Sequence, residues 1–89
     1  MAWQIEFDPT ARREFEKLDK AVSARILRFL HERVSVLDNP RKIGERLQGP
    51  LRQFWKYRVG NYRLICSIND GRLVVIVVHV GHRREVYDR

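Results

Sequence analysis

The sequence predicts an α+β domain with an N-terminal strand, a two-helix hairpin and then a three-stranded antiparallel meander, forming one twisted sheet. Apolar residues recur first at helical spacing and later in alternation, and turn residues separate the alternating segments. Helices and strands that are segregated along the chain in this way are typical of α+β folds. Because 89 residues can bury one modest core, we expect a single domain over residues 1–89.

The first elements are a short strand and a short helix. Residues 3–7 alternate and place three large apolar side chains on one side: Trp3, Ile5 and Phe7. Asp8 then suits the N-cap of a helix, and Pro9 suits its first position. The helix presents one apolar stripe to the core: Ala11, Phe15 and Leu18.

A second, longer helix is expected from about Lys20 to Leu37. Its buried face is a row of apolar residues at helical spacing: Val22, Ile26, Phe29, Leu30, Val34 and Leu37. The helix should end before Pro40, because a residue that precedes proline disfavours helical geometry. So few residues separate the two helices that they should form an antiparallel hairpin.

Three strands complete the sheet, at about residues 52–59, 62–69 and 72–80. Gly60-Asn61 and Asp70-Gly71 are the expected two-residue connections. The last strand is apolar at nearly every position, which predicts a central place in the sheet. The glycine- and proline-containing segment over residues 41–51 is expected to be a loop with about one turn of structure.

The net charge of +7 is concentrated in the second part of the chain. Residues 1–40 hold 7 basic and 7 acidic side chains, whereas residues 41–89 hold 11 basic and 4 acidic side chains. A localised excess of this kind is typical of a surface that binds a polyanion, most often nucleic acid. Charge alone leaves an acidic protein partner as an open alternative.

Other features favour a cytoplasmic protein without cofactors. No apolar segment could span a bilayer, and acidic residues stand near the N-terminus, where a signal peptide has basic ones. A single cysteine, Cys66, fits a reducing compartment and is expected in the core. The sequence has no glycine-rich phosphate loop and no His, Cys or carboxylate pair at metal-ligand spacing, so we expect no metal and no cofactor.

The segment FWKYRVGNYRLI predicts a tight hairpin. If Gly60-Asn61 is a two-residue turn, Val59 pairs with Tyr62, and Arg58 pairs with Arg63. Two arginines that lie directly opposite each other repel, so a hairpin built for stability alone would not pair them.

Lys56 joins these two arginines on one side of the sheet, because side chains alternate across a strand. We call the side with Lys56, Arg58 and Arg63 the cationic face. Three cations together predict that an anion binds between them. The plain alternative is that the three long side chains extend separately into solvent.

The same counting extends the cationic face to the last strand. With Asp70-Gly71 as a two-residue turn, Arg63 pairs with Val78. His79 then lies on the core side as a hydrogen-bonded structural residue, and His82 lies on the cationic face. The tail would bring further cations and an aromatic residue to the same place: Arg83, Arg84 and Tyr87.

Three segments stand in a specific order over nearly the whole chain. They are IEFDPTARREFEKLD, LQGPLRQFWKYRVGNYRLICSI and, after a hydrophobic strand, VGHRREVY. Their order and spacing resemble the RelE family of toxins from bacterial and archaeal toxin–antitoxin pairs. The resemblance implies a fold similar to small microbial ribonucleases. It also implies an activity, the cleavage of messenger RNA in the ribosomal A site, which inhibits translation.

The resemblance also implies the site residues. Catalytic roles fall on Lys56, Arg63, Arg83 and Tyr87, and RNA-binding roles on Arg52, Arg58, His82 and Arg84. Arg58 stands where the family more often has lysine, and either Arg83 or Arg84 can be the tail arginine. The implied partners are a cognate antitoxin, the messenger RNA in the A site and ribosomal RNA. The antitoxin is expected to wrap the chain with a helix or strand, covering the cations or displacing the tail.

These residue types fit metal-independent cleavage by the 2′-hydroxyl of the RNA. Arg63 and Arg83 can bind the phosphate as bidentate donors and stabilise the phosphorane. Lys56 is the expected proton acceptor, on the argument that its neighbours are all cations and disfavour its charged form. Tyr87 can stack on a base or orient the hydroxyl.

Three alternatives stay open. Some relatives with the same fold use a Glu and a His as acid and base, for which Glu45 and His82 are the candidates here. ParE-like toxins share the fold but bind DNA gyrase and generally lack the catalytic cations. The third alternative is an inactive basic module that docks an acidic partner.

Overall fold

The computed structural model describes residues 2–82 and confirms the α+β class, with two helices and one five-stranded mixed sheet. The helices are α1 (Pro9–Glu16) and α2 (Lys20–Phe29), and the strands are β1 (Gln4–Phe7), β2 (Glu45–Arg46), β3 (Trp55–Val59), β4 (Tyr62–Asn69) and β5 (Val74–His82). The strand order is β1-β5-β4-β3-β2, with β1 parallel to β5 and the other neighbours antiparallel. In the described part of the chain, neither helix has the length and apolar character needed to cross a bilayer.

Helix α1 begins as the sequence predicts. The Asp8 carboxylate accepts a hydrogen bond of 2.8 Å from the backbone N–H of Ala11, and Pro9 occupies the first helical position. Ala11 is fully buried, and Phe15 and Leu18 pack against the core. The cap and the apolar stripe together fix both the start of α1 and the side that it turns to the sheet.

Helix α2 ends earlier than predicted. It stops at Phe29, and a π-helical turn over Leu30–Val34 follows, in which the Ser35 N–H donates to the Leu30 carbonyl at 2.9 Å. The Ser35 carbonyl accepts from the backbone N–H of Trp3 at 2.9 Å, so it is engaged by the N-terminal segment and the helical structure ends three residues before Leu37. The apolar periodicity continued to Leu37, but tertiary hydrogen bonding decided where the helix stops.

The core lies between the helices and one side of the sheet. Ile26, Leu30 and Val34 pack there against sheet residues that include Leu64 and Val77. Cys66 is also fully buried in this core, as predicted, and burial raises the pKa of its thiol. Strand β5 lies between β1 and β4, which confirms the central place predicted for the last strand.

The segment between α2 and β3 contains more structure than predicted. A 3₁₀ turn over Pro40–Ile43 leads into the two-residue strand β2, and a second 3₁₀ turn follows over Gly49–Leu51. Two residues are too few for alternation to show in the sequence, so β2 could not be recognised as a strand. Strand β3 then begins at Trp55, three residues after the predicted start at residue 52.

The connection between β4 and β5 is longer than the predicted two-residue turn. Asn69 pairs with Val74, so four residues form the connection, and Leu73 among them has a φ of +56°. The Asn69 side-chain carbonyl accepts from the backbone N–H of Arg72 at 3.0 Å, which stabilises the longer loop. Strand β5 therefore spans Val74–His82 instead of residues 72–80.

A β-bulge further changes the register of β5. Ile65 pairs with His79 but the next residue, Cys66, pairs with Val77, so Val78 is the extra residue. Arg63 consequently lies opposite Gly81, and the predicted pairing with Val78 is wrong. A shift by one residue exchanges the two sides of a strand, so every prediction about side-chain direction beyond Val78 had to fail.

Tyr57 offers a test of the packing between the core and the segment before β2. Its side chain is 1% exposed, and its hydroxyl donates to the Pro40 carbonyl at 2.7 Å. We expect Tyr57→Phe to lower the free energy of unfolding by about 1 to 2 kcal/mol, because a buried carbonyl loses its donor. Urea denaturation measures this difference.

The matched control is Tyr62→Phe. Tyr62 is half-buried and its hydroxyl makes no hydrogen bond within residues 2–82. We expect its unfolding free energy to stay within about 0.5 kcal/mol of the wild type. Equal losses in the two variants would contradict the importance of the contact with Pro40.

Candidate active site

The hairpin of β3 and β4 forms with the predicted register. Val59 pairs with Tyr62, and Arg58 pairs directly with Arg63. Gly60 has a φ of +60° while Asn61 has a negative φ, which is the type II′ pattern that a two-residue turn beginning with glycine adopts. Lys56 pairs with Ile65, so the three predicted cations lie on one side of the strand pair.

Lys56 and Arg63 are buried although both are charged. Their side chains are 4% and 3% exposed, while Arg58 is exposed. Transfer of an ion from water into a protein costs several kcal/mol even after the structure relaxes. Two cations buried on one sheet face therefore indicate a role other than stability.

Glu45 contacts the buried lysine. Strand β2 pairs Glu45 with Lys56, and the Lys56 Nζ lies 3.1 Å from the Glu45 Oε1. The Glu45 side chain is 64% exposed, so the pair joins a buried cation to a solvent-facing carboxylate. The prediction that only cations surround Lys56 is therefore wrong, because the short strand β2 places a carboxylate beside it.

Contact with Lys56 makes the carboxyl group of Glu45 more acidic than that of an ordinary glutamate. Its pKa is lowered, first by the hydrogen bond from Lys56, then by the charge of Lys56, and less by the charges of Arg58 and Arg63. Glu45 is consequently ionised at neutral pH. A lowered pKa also makes this carboxylate a weaker base than an ordinary glutamate.

Gly81 lies across from Arg63 on β5. Because glycine has no side chain, β5 places none beside Arg63 on the cationic face. On the other neighbouring strand the residue across from Arg63 is Arg58. The guanidinium groups of Arg58 and Arg63 thus come from adjacent strands, near the end of the sheet where β3 turns into β4.

His82 lies on the other side of the sheet from Arg63. It pairs with Tyr62, and the two rings are 5.5 Å apart in an edge-to-face arrangement. The prediction that His82 points to the cationic face is wrong, because the bulge at Val78 exchanges the sides of the residues that follow it. Glu45 and His82, the alternative acid and base, are therefore not brought together on one face.

His79 lies on a different side of the sheet from the one predicted. It pairs with Ile65, in the same cross-strand row as Lys56 and Glu45, and not on the core side. Its Nδ1 lies 2.8 Å from the Glu14 Oε2, while the Glu14 Oε1 accepts from the Val80 N–H at 2.8 Å. One carboxylate of α1 thus binds β5 just beyond the bulge. His79 is hydrogen-bonded as predicted, but on a different side.

The other predicted site residues lie either before β3 or outside the described residues. Arg52 is exposed and follows the 3₁₀ turn Gly49–Leu51, before β3 begins. Arg83, Arg84 and Tyr87 lie outside the described residues. Across residues 2–82, no group of three or more His, Cys, Asp or Glu side chains could hold a metal ion.

Comparison with known proteins shows that the chain is similar to toxins of toxin–antitoxin systems. The family model described as the ParE toxin of the type II toxin–antitoxin system parDE matches residues 5–87. Toxin RelG of Mycobacterium tuberculosis is 32% identical over 89 residues, which are 100% of both chains. The mRNA interferase toxin RelE of Escherichia coli is 37% identical over 90 residues, covering 98% of this chain and 92% of the relative.

A solved structure agrees with these relatives. The crystal structure of the RelBE2 toxin–antitoxin complex from Mycobacterium tuberculosis contains a chain that superimposes with a TM-score of 0.84. The sequence identity is 30%, and the match covers 93% of each chain. Sequence and fold therefore point to the same family.

The ion pair of Glu45 and Lys56 predicts a dependence of stability on pH. The pKa of Glu45 is lowered in the folded protein from its ordinary value of 4.5, so the unfolded chain binds the proton more readily. Its contribution to the free energy of unfolding is thus complete above pH 4.5 and disappears as the pH falls through the lower, folded-state pKa. We expect Glu45→Gln to be less stable than the wild type at pH 7, and the difference to vanish in acid.

Urea denaturation over a pH series checks this expectation, with Glu16→Gln as the control. Glu16 is exposed on α1 and forms no ion pair within residues 2–82. Its replacement should leave stability nearly unchanged at neutral pH. A Glu45→Gln deficit that persists unchanged to the lowest pH would show that the charge of Glu45 is not its cause.

Proposed function

Because the chain belongs to the RelE/ParE family of toxins from type II toxin–antitoxin systems, we propose that it is an endoribonuclease that cuts messenger RNA in the ribosomal A site and so inhibits translation. The observation that carries the proposal is the pair of buried cations, Lys56 and Arg63, on one face of the sheet. Relatives named mRNA interferase support it.

The scissile phosphate would bind between Arg58 and Arg63. Two guanidinium groups from directly paired positions repel in the free protein, and a phosphodiester between them removes that repulsion. Arg63 is the better candidate for the phosphorane, because its burial limits reorganisation and strengthens its electrostatic effect. Arg58, which is exposed, would hold the RNA backbone as it enters.

Lys56 would accept the proton of the 2′-hydroxyl. It is buried in the row beside Arg63, whereas Glu45 is mostly exposed and a weaker base because its pKa is lowered. The Lys56 ammonium contacts Glu45 in the free protein, so this contact would have to open for Lys56 to reach the 2′-hydroxyl when RNA binds. RNA phosphates, which repel Glu45, would favour that opening.

In the proposed reaction the 2′-oxygen attacks the phosphorus and the bond to the 5′-oxygen breaks. The products are a 2′,3′-cyclic phosphate and a free 5′-hydroxyl, whose proton comes from a general acid. Arg83, or Arg84, would add a second guanidinium to the phosphorane, and Tyr87 would stack on a base or orient the 2′-hydroxyl. The reaction needs no metal ion, because the cations supply the positive charge.

A ParE-like toxin that binds DNA gyrase is the second candidate. The matching family model is described as a ParE toxin, which favours it. Lys56, Arg58 and Arg63 on one face favour the nuclease instead. The two functions differ in the process that stops, which is translation for the nuclease and replication for the gyrase toxin.

An antitoxin is the proposed protein partner, together with messenger RNA and ribosomal RNA. The RelBE2 structure from Mycobacterium tuberculosis is a toxin–antitoxin complex, which supports a heteromeric complex here. The charge excess between Arg41 and Arg63 would attract acidic residues of such a partner. Its helix or strand would cover the cationic face or displace the tail.

The central prediction concerns Arg63. We expect Arg63→Ala to reduce cleavage of a translated message at least 100-fold, roughly the loss when one preorganised donor to the transition state is removed. Primer extension in a cell-free translation system measures this, with and without ribosomes on the message. Arg72→Ala is the control, since Arg72 is an exposed arginine in the connection at the other end of β4.

The same assay separates the proposed proton acceptors. Lys56→Ala should abolish cleavage, while Glu45→Gln should retain it. Loss of cleavage in Glu45→Gln alone would assign the base to Glu45 instead. If the wild type cuts nothing while replication stops, the gyrase alternative is correct and the nuclease proposal fails.

A complex with the product of the neighbouring gene is also expected. At micromolar concentrations the two proteins should elute together in size-exclusion chromatography, at a volume smaller than that of either alone. Raised salt should weaken the complex, because charge complementarity contributes to it. Separate elution at low salt would contradict the proposed partner.

A further inference from the structure

A second group of cations lies away from the row of Lys56 and Glu45. Four arginines and one glutamate line a groove of about 370 Å³ between α2, the π-helical turn and the turn of the β3–β4 hairpin: Arg25, Arg28, Arg33, Arg58 and Glu32. Phe29, Val59 and Gly60 complete its lining. We call it the arginine groove. All four arginines are exposed.

The fold, and not the sequence, creates this concentration of charge. Three of the four arginines belong to residues 1–40, where basic and acidic side chains balance in number. The acidic residues of that segment other than Glu32 do not line the groove. Within residues 2–82, none of the four guanidinium groups forms an ion pair with a carboxylate.

Local geometry brings the four side chains together. Arg25 and Arg28 are three residues apart on α2, which places them on one side of the helix. The π-helical turn Leu30–Val34 then directs Arg33 to the same groove, and turns of this kind occur frequently at functional sites. The Arg25 guanidinium lies over the hairpin turn, so close that a Cβ at Gly60 would be 2.9 Å from its Nη1.

Arg58 connects this groove with the cationic face. It lines the groove and is also paired with Arg63 across the hairpin. A polyanion bound between Arg58 and Arg63 could therefore extend past the end of the hairpin into the arginine groove and contact basic side chains along its whole length. Like-charged arginines at short range destabilise the free protein, which favours a ligand with several negative charges.

We propose that the arginine groove binds backbone phosphates of RNA on one side of the cleavage point, as a second anchoring subsite next to the reacting phosphate. This inference rests on the proposed function for the identity of the RNA. The groove is open, and four of its eight lining residues are arginines, which can donate hydrogen bonds to the oxygens of a phosphodiester backbone. The phosphates can belong to the message or to ribosomal RNA.

The test compares two double variants of equal charge. Arg28→Gln/Arg33→Gln removes two cations from the groove, and Arg12→Gln/Arg13→Gln removes two exposed cations from α1, outside the groove. Fluorescence anisotropy measures binding of a fully 2′-O-methylated single-stranded RNA, which cannot be cleaved, over a series of salt concentrations. Thermal melting verifies that both variants fold.

Loss of two phosphate contacts should reduce the slope of log affinity against log salt by about 1.4, and the affinity at 0.1 M salt by roughly 25-fold. The control should show a much smaller change in both. If only binding to empty ribosomes weakens in the groove variant, the inference also holds and the phosphates are ribosomal. The inference is overturned if the two double variants bind the RNA equally well and also bind empty ribosomes equally well. It is also overturned if the groove variant loses affinity only for the antitoxin.

Cleavage of a translated message by the wild type is measured alongside. If the wild type cuts and the groove variant binds and cuts like the control, the groove inference fails while the proposed function stands. If the wild type does not cut, the proposed function fails. The binding assays then still decide whether the groove contacts nucleic acid.

Discussion

The pairing of β3 with β4 is the constraint on which the candidate site depends. The two-residue turn at Gly60-Asn61 fixes the register, and the register places Arg58 directly opposite Arg63 with Lys56 on the same face. Burial of Lys56 and Arg63 costs free energy that a stability-driven fold would avoid. The hairpin therefore holds like charges in a fixed geometry, which favours the proposed binding of a phosphodiester between Arg58 and Arg63.

The neighbouring strands modify this hairpin in different ways. Strand β2 is only two residues long, yet it brings the Glu45 carboxylate to within 3.1 Å of the Lys56 ammonium and so compensates the buried charge of Lys56. On the other side β5 contributes a glycine across from Arg63. The Glu14 carboxylate binds β5 just beyond the bulge, through the Val80 N–H and the His79 ring. The surroundings of the buried cations thus depend on strands outside the β3–β4 hairpin.

The fold extends positive charge around the end of the hairpin. The helices had appeared balanced in charge, but α2 and the π-helical turn direct three arginines to one groove that Arg58 shares with the cationic face. Counting charges along a chain averages over the two sides of a helix. The packing of α2 against the β3–β4 hairpin decides which side of the helix lies next to Arg58. It therefore decides which helix charges lie close to the charges of the sheet.

The sequence by itself determined the α+β class, the cap of α1, the central place of the last strand and the register of the β3–β4 hairpin. Each depends on local signals: alternation, helical spacing, a capping aspartate and a glycine-containing turn. The tertiary structure alone decided the register of β5, and with it the sides of His79 and His82. An apolar strand such as LVVIVVHV has no alternation that could reveal a bulge, so the sides of the residues after Val78 could not be predicted from the sequence. The partner of Lys56 was hidden for the same reason, because a two-residue strand is defined by the strand that it pairs with.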